Sequence, residues 1–383
     1  MARDDHVFHR PVYAQQMAEQ LLRPTALQSS VRSGVFLSGI RRVGKTTFLR
    51  LDLIPALEAH GAVVIYVDLW ADVAKSPAVL VLEAVRDTLS QLAAPGSGLL
   101  KRFKGGSVGA AGFTFGFQID SVGTAGGTTL AQALDALVTQ VQTDVVLIVD
   151  EVQQTLVSED GKTLMHALKA ARDAVNTRPG TPGHFLFLGT GSHKSLVTDM
   201  ASRRSQPFTG AVSAQYEVLG QDFVDWQLQR VASTAGAQVP SLAVAWAGFQ
   251  VMGHRPEELL KALRQLQDTR ELSPDQAFPV ICATLASAAA DIELRAIDDF
   301  GALGGVIFAR IAAGSEGGVS GLFSAEALAD YSRGIGSAVD APQVQGITDK
   351  MIAANLITRL GHGLYAVADP FVRSVWRQRS LTA

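Results

Sequence analysis

A glycine-rich segment near the start of the chain has residue types and spacing suited to binding a triphosphate. GIRRVGKTT (39–47) fits the pattern G-x-x-x-x-G-K-[ST]. Its glycines let successive backbone N–H groups turn towards an anion, Lys45 would reach the β- and γ-phosphates, and the Thr46 hydroxyl would bind Mg²⁺. The predicted cofactor-binding residues are Gly39, Arg42, Val43, Gly44, Lys45, Thr46 and Thr47.

A second, acidic motif follows an apolar run later in the chain. VVLIVDE (145–151) is typical of a strand that ends in two carboxylates. Asp150 would hold the Mg²⁺ shell with Thr46, and Glu151 would orient and deprotonate the attacking water. Because this pair supplies a base for water, it favours hydrolysis over phosphoryl transfer to a second substrate. The chain has no N-K-x-D motif for guanine, so the expected nucleotide is ATP.

The pattern around these motifs predicts an α/β fold with a parallel-sheet core. Short, continuously apolar runs alternate with helical patterns, as in a parallel sheet covered on both faces. The predicted strands are 35–39, 63–69, 145–150 and 185–190, and the predicted helices include 46–59, 78–92 and 164–175.

The composition is that of a globular protein and excludes several functional classes. The chain has 383 residues, of which 47% are hydrophobic and 18% charged, with a net charge of −3. A net charge this close to zero excludes a polybasic protein. A single cysteine, Cys282, excludes intramolecular disulfides and cysteine-based zinc fingers. With no signal or membrane segment in the pattern, the expected location is the cytoplasm.

Taken together, the motifs resemble those of AAA+-type P-loop ATPases, and are closest to the archaeal-type ATPases and the related STAND class. GIRRVGKTTFL is similar to their G-x-R-R-x-G-K-T-x-L, and FLFLGTGSHKSL (185–196) to their sensor-1 strand. MGHRPEELLKAL (252–263) is similar to the start of their sensor-2 helix. ITRLGHGLYAVADPFVRSVW (357–376) looks like their C-terminal winged helix, which often ends in Asp-Pro and Trp.

The resemblance implies further site residues. Thr190 and Ser192 would be sensor-1 residues that bond the γ-phosphate or the water; a strand-terminal turn is the alternative. Arg255 would be the sensor-2 arginine; a surface arginine at a helix start is the alternative. Arg203 and Arg204 lie where AAA+ proteins place an arginine finger, although many archaeal-type and STAND relatives lack one. The catalytic set is thus Glu151, Lys45, Arg203, Arg204, Thr190 and Ser192.

The resemblance also implies an order of domains. Residues 1–34 would form an N-terminal linker helix, and 35–220 the ATPase core. Residues 95–128 are glycine-rich with alternating phenylalanines and predict a β-hairpin insertion in that core. Residues 221–290 would form a helical lid, and 291–383 the winged-helix domain.

The sequence favours a protein client, of unknown identity, over DNA as the partner of the winged helix. Residues 285–354, which include all but the last residue of the predicted recognition helix Val344–Asn355, carry nine acidic and four basic residues. DNA binding depends on neutralising phosphates, so this excess of acidic residues disfavours contact with DNA. We expect an ATPase that couples nucleotide state to movement of the lid and winged helix and self-associates with nucleotide. The rival hypothesis is a slow nucleotide-gated adaptor or DNA-binding regulator.

Overall fold

The chain divides into two compact units. The computed structural model describes residues 6–98, 112–269, 271–315, 317–361 and 363–382. The first unit holds 1–39 and 45–217, and the second holds 40–44 and 218–383. None of the helices in these described ranges is long and apolar enough to cross a membrane.

The first unit is built on a five-stranded parallel sheet. In the order β2-β3-β4-β1-β5, all neighbouring strands are parallel. The strands β1, β3 and β4 are buried along their whole length, which explains their unbroken apolar sequences. The bounds are β1 Val35–Ser38, β2 Val63–Asp68, β3 Val145–Asp150, β4 Phe185–Gly191 and β5 Val212–Gln215.

Helices cover this sheet and connect its strands. Apolar helical stripes pack on the sheet to form the core, and polar residues fix the helix starts. Ser158 caps α6 through the backbone N–H of Gly161, and Thr129 forms a capping box with Gln132 at α5. The bounds are α1 Pro11–Leu22, α2 Lys45–Phe48, a π-helical turn Leu49–Leu53, α3 Ile54–Ala59, α4 Pro77–Ala93, α5 Leu130–Val141, α6 Glu159–Asn176 and α7 Lys194–Ser202.

The described part of the predicted hairpin insertion contains no strand. The hairpin predicted over 95–128 falls partly on 99–111, outside the described residues; over 112–128 the chain forms coil, turns and a 3₁₀ turn, Ile119–Ser121, without a strand. Phe113, Phe115 and Phe117 pack against the sheet's core as coil, so their alternation reflects burial of one side. The fifth strand, Val212–Gln215, lies after the four predicted ones.

The second unit is mainly helical. The helices α9 and α10 pack on α11, and α15 packs on the same helix. A three-helix segment, α12–α14, precedes an antiparallel hairpin of β6 and β7, as a winged helix requires. The bounds are α8 Gln221–Ala232, α9 Leu242–Val251, α10 Pro256–Gln267, α11 Pro274–Arg295, α12 Gly301–Ala313, α13 Ala325–Ile335, α14 Ala341–Ala353, β6 Ile357–Gly361, β7 Leu364–Val367 and α15 Pro370–Thr382.

Candidate nucleotide site

The glycine-rich loop has the backbone geometry of an anion-binding turn. Gly44 has φ +89° and Arg42 has φ +66°, both in the left-handed region, immediately before α2 begins at Lys45. At Gly39, a Cβ would come within 2.9 Å of the Tyr216 Cβ. Glycine is therefore required at 44 by conformation and at 39 by space, as expected from the motif. Val43 is buried and Thr47 is exposed.

Asp150, at the end of β3, brings the loop's functional side chains together. Its Oδ1 accepts a hydrogen bond from Lys45 Nζ at 2.7 Å, and its Oδ2 accepts one from Thr46 Oγ1 at 2.7 Å. Thr190, at the end of the neighbouring strand β4, also donates to Oδ1. The parallel order places these ends side by side, so residues more than 100 positions apart form one buried network.

The ionised form of Asp150 is strongly favoured in this network. Burial raises the pKa of the carboxyl, but the Lys45 charge and the hydrogen bonds from Lys45, Thr190 and Thr46 outweigh burial, so the pKa lies below its ordinary value of 3.8. Tyr66 donates to Oδ2 at 3.4 Å, and burial followed by the charge of Asp150 raises the pKa of its phenol. Asp150 is therefore an anion, and Tyr66 a neutral donor, at physiological pH.

Glu151 occupies a strained position and is held by three neighbours. Its φ of +56° places it in the left-handed region, which costs a non-glycine residue about 1–2 kcal/mol. Its Oε2 accepts from Ser192 Oγ at 2.9 Å and from Gln153 Nε2 at 2.5 Å. Its Oε1 lies 3.6 Å from Lys45 Nζ. The carboxylate is thus fixed with one oxygen towards Lys45.

The two finger candidates lie apart from this network, at the end of α7. Arg203 follows the last residue of the helix and pairs with Asp199 at 3.4 Å; its side chain is 56% exposed. Arg204 is exposed too. Both guanidinium groups are accessible to another molecule, and their role as a finger stays a prediction.

The sensor-2 candidate, Arg255, is a buried residue of the second unit. It precedes α10, and its guanidinium pairs with Asp369 at 2.5 Å and lies 4.3 Å from the centre of the Phe371 ring. Its Nε has no hydrogen-bond partner among the described residues. Arg255 is therefore not the surface arginine that was the alternative; its contact with nucleotide stays a prediction.

Comparison with known proteins identifies the fold. No family model and no curated protein matches the chain. The ADP form of the Aeropyrum pernix ORC2 protein matches with a TM-score of 0.54 and 14% identity, over 98% of this chain and 96% of that one. The ADPNP–ADP complexes of that protein give 0.50 and 15%, over 97% and 94%. The chain has the AAA+ fold.

A third match is weaker than these two. The Aeropyrum pernix ORC1 protein in complex with DNA matches with a TM-score of 0.44 and 15% identity, over 100% of this chain and 96% of that one. At that score the likeness supports no conclusion about DNA. The ORC2 matches cover both units, so the prediction of an AAA+-like core with helical parts is confirmed.

The AAA+ core has oxygen donors that fit magnesium. Thr46 Oγ1 and Asp150 Oδ2 are hard ligands 2.7 Å apart, beside the lysine that would meet the phosphates. The described residues contain no cluster of three or more His, Cys, Asp or Glu side chains that could hold a metal. The Thr46 and Asp150 oxygens suit Mg²⁺, which usually keeps several waters and takes one or two protein ligands plus substrate phosphates.

The N-terminal segment is anchored on the helix that follows the glycine-rich loop 39–44. Asp52, in the π-helical turn, accepts from His9 Nδ1 at 2.7 Å and from the Arg10 backbone N–H at 3.2 Å. The Arg10 guanidinium lies 4.5 Å from the centre of the Tyr13 ring, which packs on Phe48. The segment thereby restrains the helix that carries Lys45 and Thr46.

Sequence reasoning missed three residues of these networks. Gln153 lies two positions after the acidic pair, Tyr66 lies on an edge strand, and Asp369 precedes α15. No motif assigned them a role in binding, and their partners lie 2, 84 and 114 positions away. Only the Asp-Pro before the final helix gave a signal, and it indicated the winged helix rather than a partner for Arg255.

Proposed function

We propose that this chain is an AAA+-type ATPase that binds Mg·ATP and hydrolyses it with Glu151 as general base. One observation carries the proposal: Asp150 gathers Lys45 and Thr46 at one strand end, and the next residue is a carboxylate held towards Lys45. These are the groups that phosphate binding, cation binding and water activation need.

Each residue of the proposed site has its own chemical role. The Lys45 ammonium, now paired with Asp150, can move to the β- and γ-phosphates because its flexible stem allows a small displacement. A magnesium ion held by Thr46 and Asp150 would neutralise phosphate charge. Glu151 accepts the proton of the attacking water, and Ser192 holds its carboxylate in place. Thr190 fixes Asp150, so its role is to orient the acidic end of β3.

Coupling to the second unit belongs to the same proposal. Arg255 has Asp369 as its anionic partner, and Asp369 also accepts the backbone N–H of Phe371 at the start of α15. A γ-phosphate that attracted Arg255 would leave Asp369 without this partner and would loosen the winged-helix end of the chain. The buried, orphaned Nε of Arg255 supports a residue kept for a second interaction.

We propose a protein rather than DNA as partner of the winged-helix region. The Arg373 side chain is buried and donates to the carbonyl oxygens of Ala312, in the last turn of α12, and Gly314, just after it. The Arg379 guanidinium bonds Asp291 and Ser287 of α11. Two of the basic side chains that could have contacted phosphates therefore stabilise the second unit itself.

Calorimetry and phosphate release together test the proposal. The full chain should bind Mg·ATP and release phosphate, and Lys45→Ala should abolish binding because the triphosphate charge is no longer neutralised. Lys75→Ala is the matched control, since Lys75 pairs with Glu83 on the surface. Unchanged affinity in Lys45→Ala would contradict the site; tight binding without turnover would favour the nucleotide-gated adaptor.

A further inference from the structure

Gln153 is a buried amide next to the acidic pair, and no motif accounts for it. It lies in the 3₁₀ helix Val152–Leu156 and is only 4% exposed. Its Nε2 donates to Glu151 Oε2, and its Oε1 is buried without a hydrogen-bond partner among the described residues. Because a carboxylate only accepts, this orientation of the amide is fixed by Glu151.

The surroundings hold the Gln153 side chain firmly. Val152 and Thr155, its neighbours in the helix, are fully buried. A Cβ at Gly191, the last residue of β4, would overlap the Gln153 amide oxygen. Glycine at the strand end therefore leaves the space that the amide occupies. Rigid packing of this kind is what allows one side chain to set the position of another.

The orphaned oxygen shows that stability alone does not account for a glutamine here. A buried acceptor without a partner is unfavourable, and an apolar side chain of the same volume would avoid that cost. Departures of this kind from packing rules are expected at functional sites. What the glutamine supplies, and an apolar residue would not, is the N–H directed at Glu151.

We propose that Gln153 is a positioning residue for the general base, an inference that rests on the proposed function. By binding Oε2 with Ser192, Gln153 turns Oε1 of Glu151 towards Lys45, where the γ-phosphate and the attacking water meet. It acts on the rate of hydrolysis through Glu151 alone, and it takes no part in binding ATP. A misplacement of about 1 Å in such a group can cost a factor of about 100 in rate.

The test compares Gln153→Met with Gln154→Met in single-turnover hydrolysis of Mg·ATP by the full chain. Methionine keeps the length of the side chain and removes the donor. Gln154 is the matched control: it is the next residue of the same helix, and its side chain makes no hydrogen bond in the described structure. We expect Gln153→Met to lower the single-turnover rate by about 10–100-fold and Gln154→Met to leave it unchanged.

Three further readouts distinguish positioning from a structural role. The dissociation constant for ADPNP should be unchanged in Gln153→Met, and the melting temperature should stay the same or rise. In a Glu151→Gln background, the same change should cause no further loss of rate, because the group it acts through is gone. Gln153→Ala should repeat the rate loss if methionine does not fit.

The outcomes separate this inference from the proposed function. If Glu151→Gln lowers the rate but Gln153→Met stays within about threefold of wild type, the inference is overturned and the ATPase proposal stands. A loss that persists in the Glu151→Gln background, or that accompanies unfolding of both Gln153 variants, would also overturn it. If Glu151→Gln itself hydrolyses ATP at the wild-type rate, both fail.

Discussion

At the scale of residues, the site is a buried network centred on Asp150. Local motifs predicted Lys45, Thr46, Asp150 and Glu151, because the chemistry of phosphate and magnesium restricts residue types at fixed spacing. The same reasoning could not find Gln153 or Tyr66. Gln153 bonds Glu151 only two positions away, but no known motif marks that pair. The contact of Tyr66 with Asp150 depends on where β2 lies next to β3, and a single sequence does not encode that register in a readable pattern.

The charge of Asp150 should contribute to stability in a pH-dependent way. Its pKa is lower in the folded chain than the ordinary value of 3.8, so the contribution is present above that pH and is lost as pH falls through the folded-state pKa. Asp150→Asn leaves Lys45 buried without its nearest anion. We expect it to lower the free energy of unfolding by about 2–3 kcal/mol at pH 7.

Urea unfolding at pH 7 and at pH 3 measures this effect. The difference between wild type and Asp150→Asn should shrink at the lower pH. Asp135→Asn is the control, because Asp135 pairs with Arg178 near the surface, where an ion pair contributes about 0–1 kcal/mol. A difference for Asp150→Asn that is the same at both pH values would contradict the assignment.

At the scale of elements, the strands and helices of the sheet were predictable from apolar patterns. A strand buried on both faces is continuously apolar, whereas a helix buried on one face has apolar residues at helical spacing. Over the described residues 112–128, the strand expected for the hairpin is absent for a physical reason. Phe113, Phe115 and Phe117 alternate as in a strand, but in the described residues they pack on the core without a strand partner. Alternation reports burial of one side, and it does not report hydrogen bonding to a neighbour.

The contact between the α10 start and the α15 start gives a prediction at this scale. Asp369 pairs with Arg255 and also caps α15 through the backbone N–H of Phe371. Asp369→Asn keeps the cap and removes the charge, which should cost about 2–3 kcal/mol because Arg255 stays buried. Asp369→Ala removes both and should cost about 1 kcal/mol more.

Thermal unfolding of the two variants checks this order. Asp291→Asn is the control, since Asp291 pairs with the half-exposed Arg379 on the same unit. Equal destabilisation by Asp369→Asn and Asp291→Asn would show that the buried ion pair with Arg255 contributes no more to stability than the half-exposed pair.

At the scale of the whole molecule, the ORC2 matches confirm the fold, while the domain bounds and the assembly stay predictions. Contacts divide the described chain at 217–218, close to the end of the predicted core at 220. A finger acts on the site of another copy, so it would require self-association. What the structure supplies is the exposure of Arg203 and Arg204.

We predict that Arg203 or Arg204 reaches the nucleotide of a neighbouring copy. ATPase activity per chain should then rise with protein concentration, and the double variant Arg203→Ala/Arg204→Ala should flatten that rise while ATP affinity stays nearly intact. Arginine fingers contribute about 10³–10⁵ in rate in GTPases. Arg333→Ala is the control, an arginine 78% exposed in an ion pair with Asp330. Constant specific activity of wild type over a hundredfold concentration range, with a monomer in ATP, would exclude the finger.

The assignment of Glu151 as the group that activates water, beside a phosphate site built around Asp150, is tested by measuring ADPNP affinity and single-turnover ATP hydrolysis in Glu151→Gln. This isosteric change removes the base and keeps a partner for Ser192 and Gln153. We predict wild-type affinity and hydrolysis slower by about 10²–10⁴-fold, the contribution of a general base. Hydrolysis within about threefold of wild type would contradict the account and place the base elsewhere.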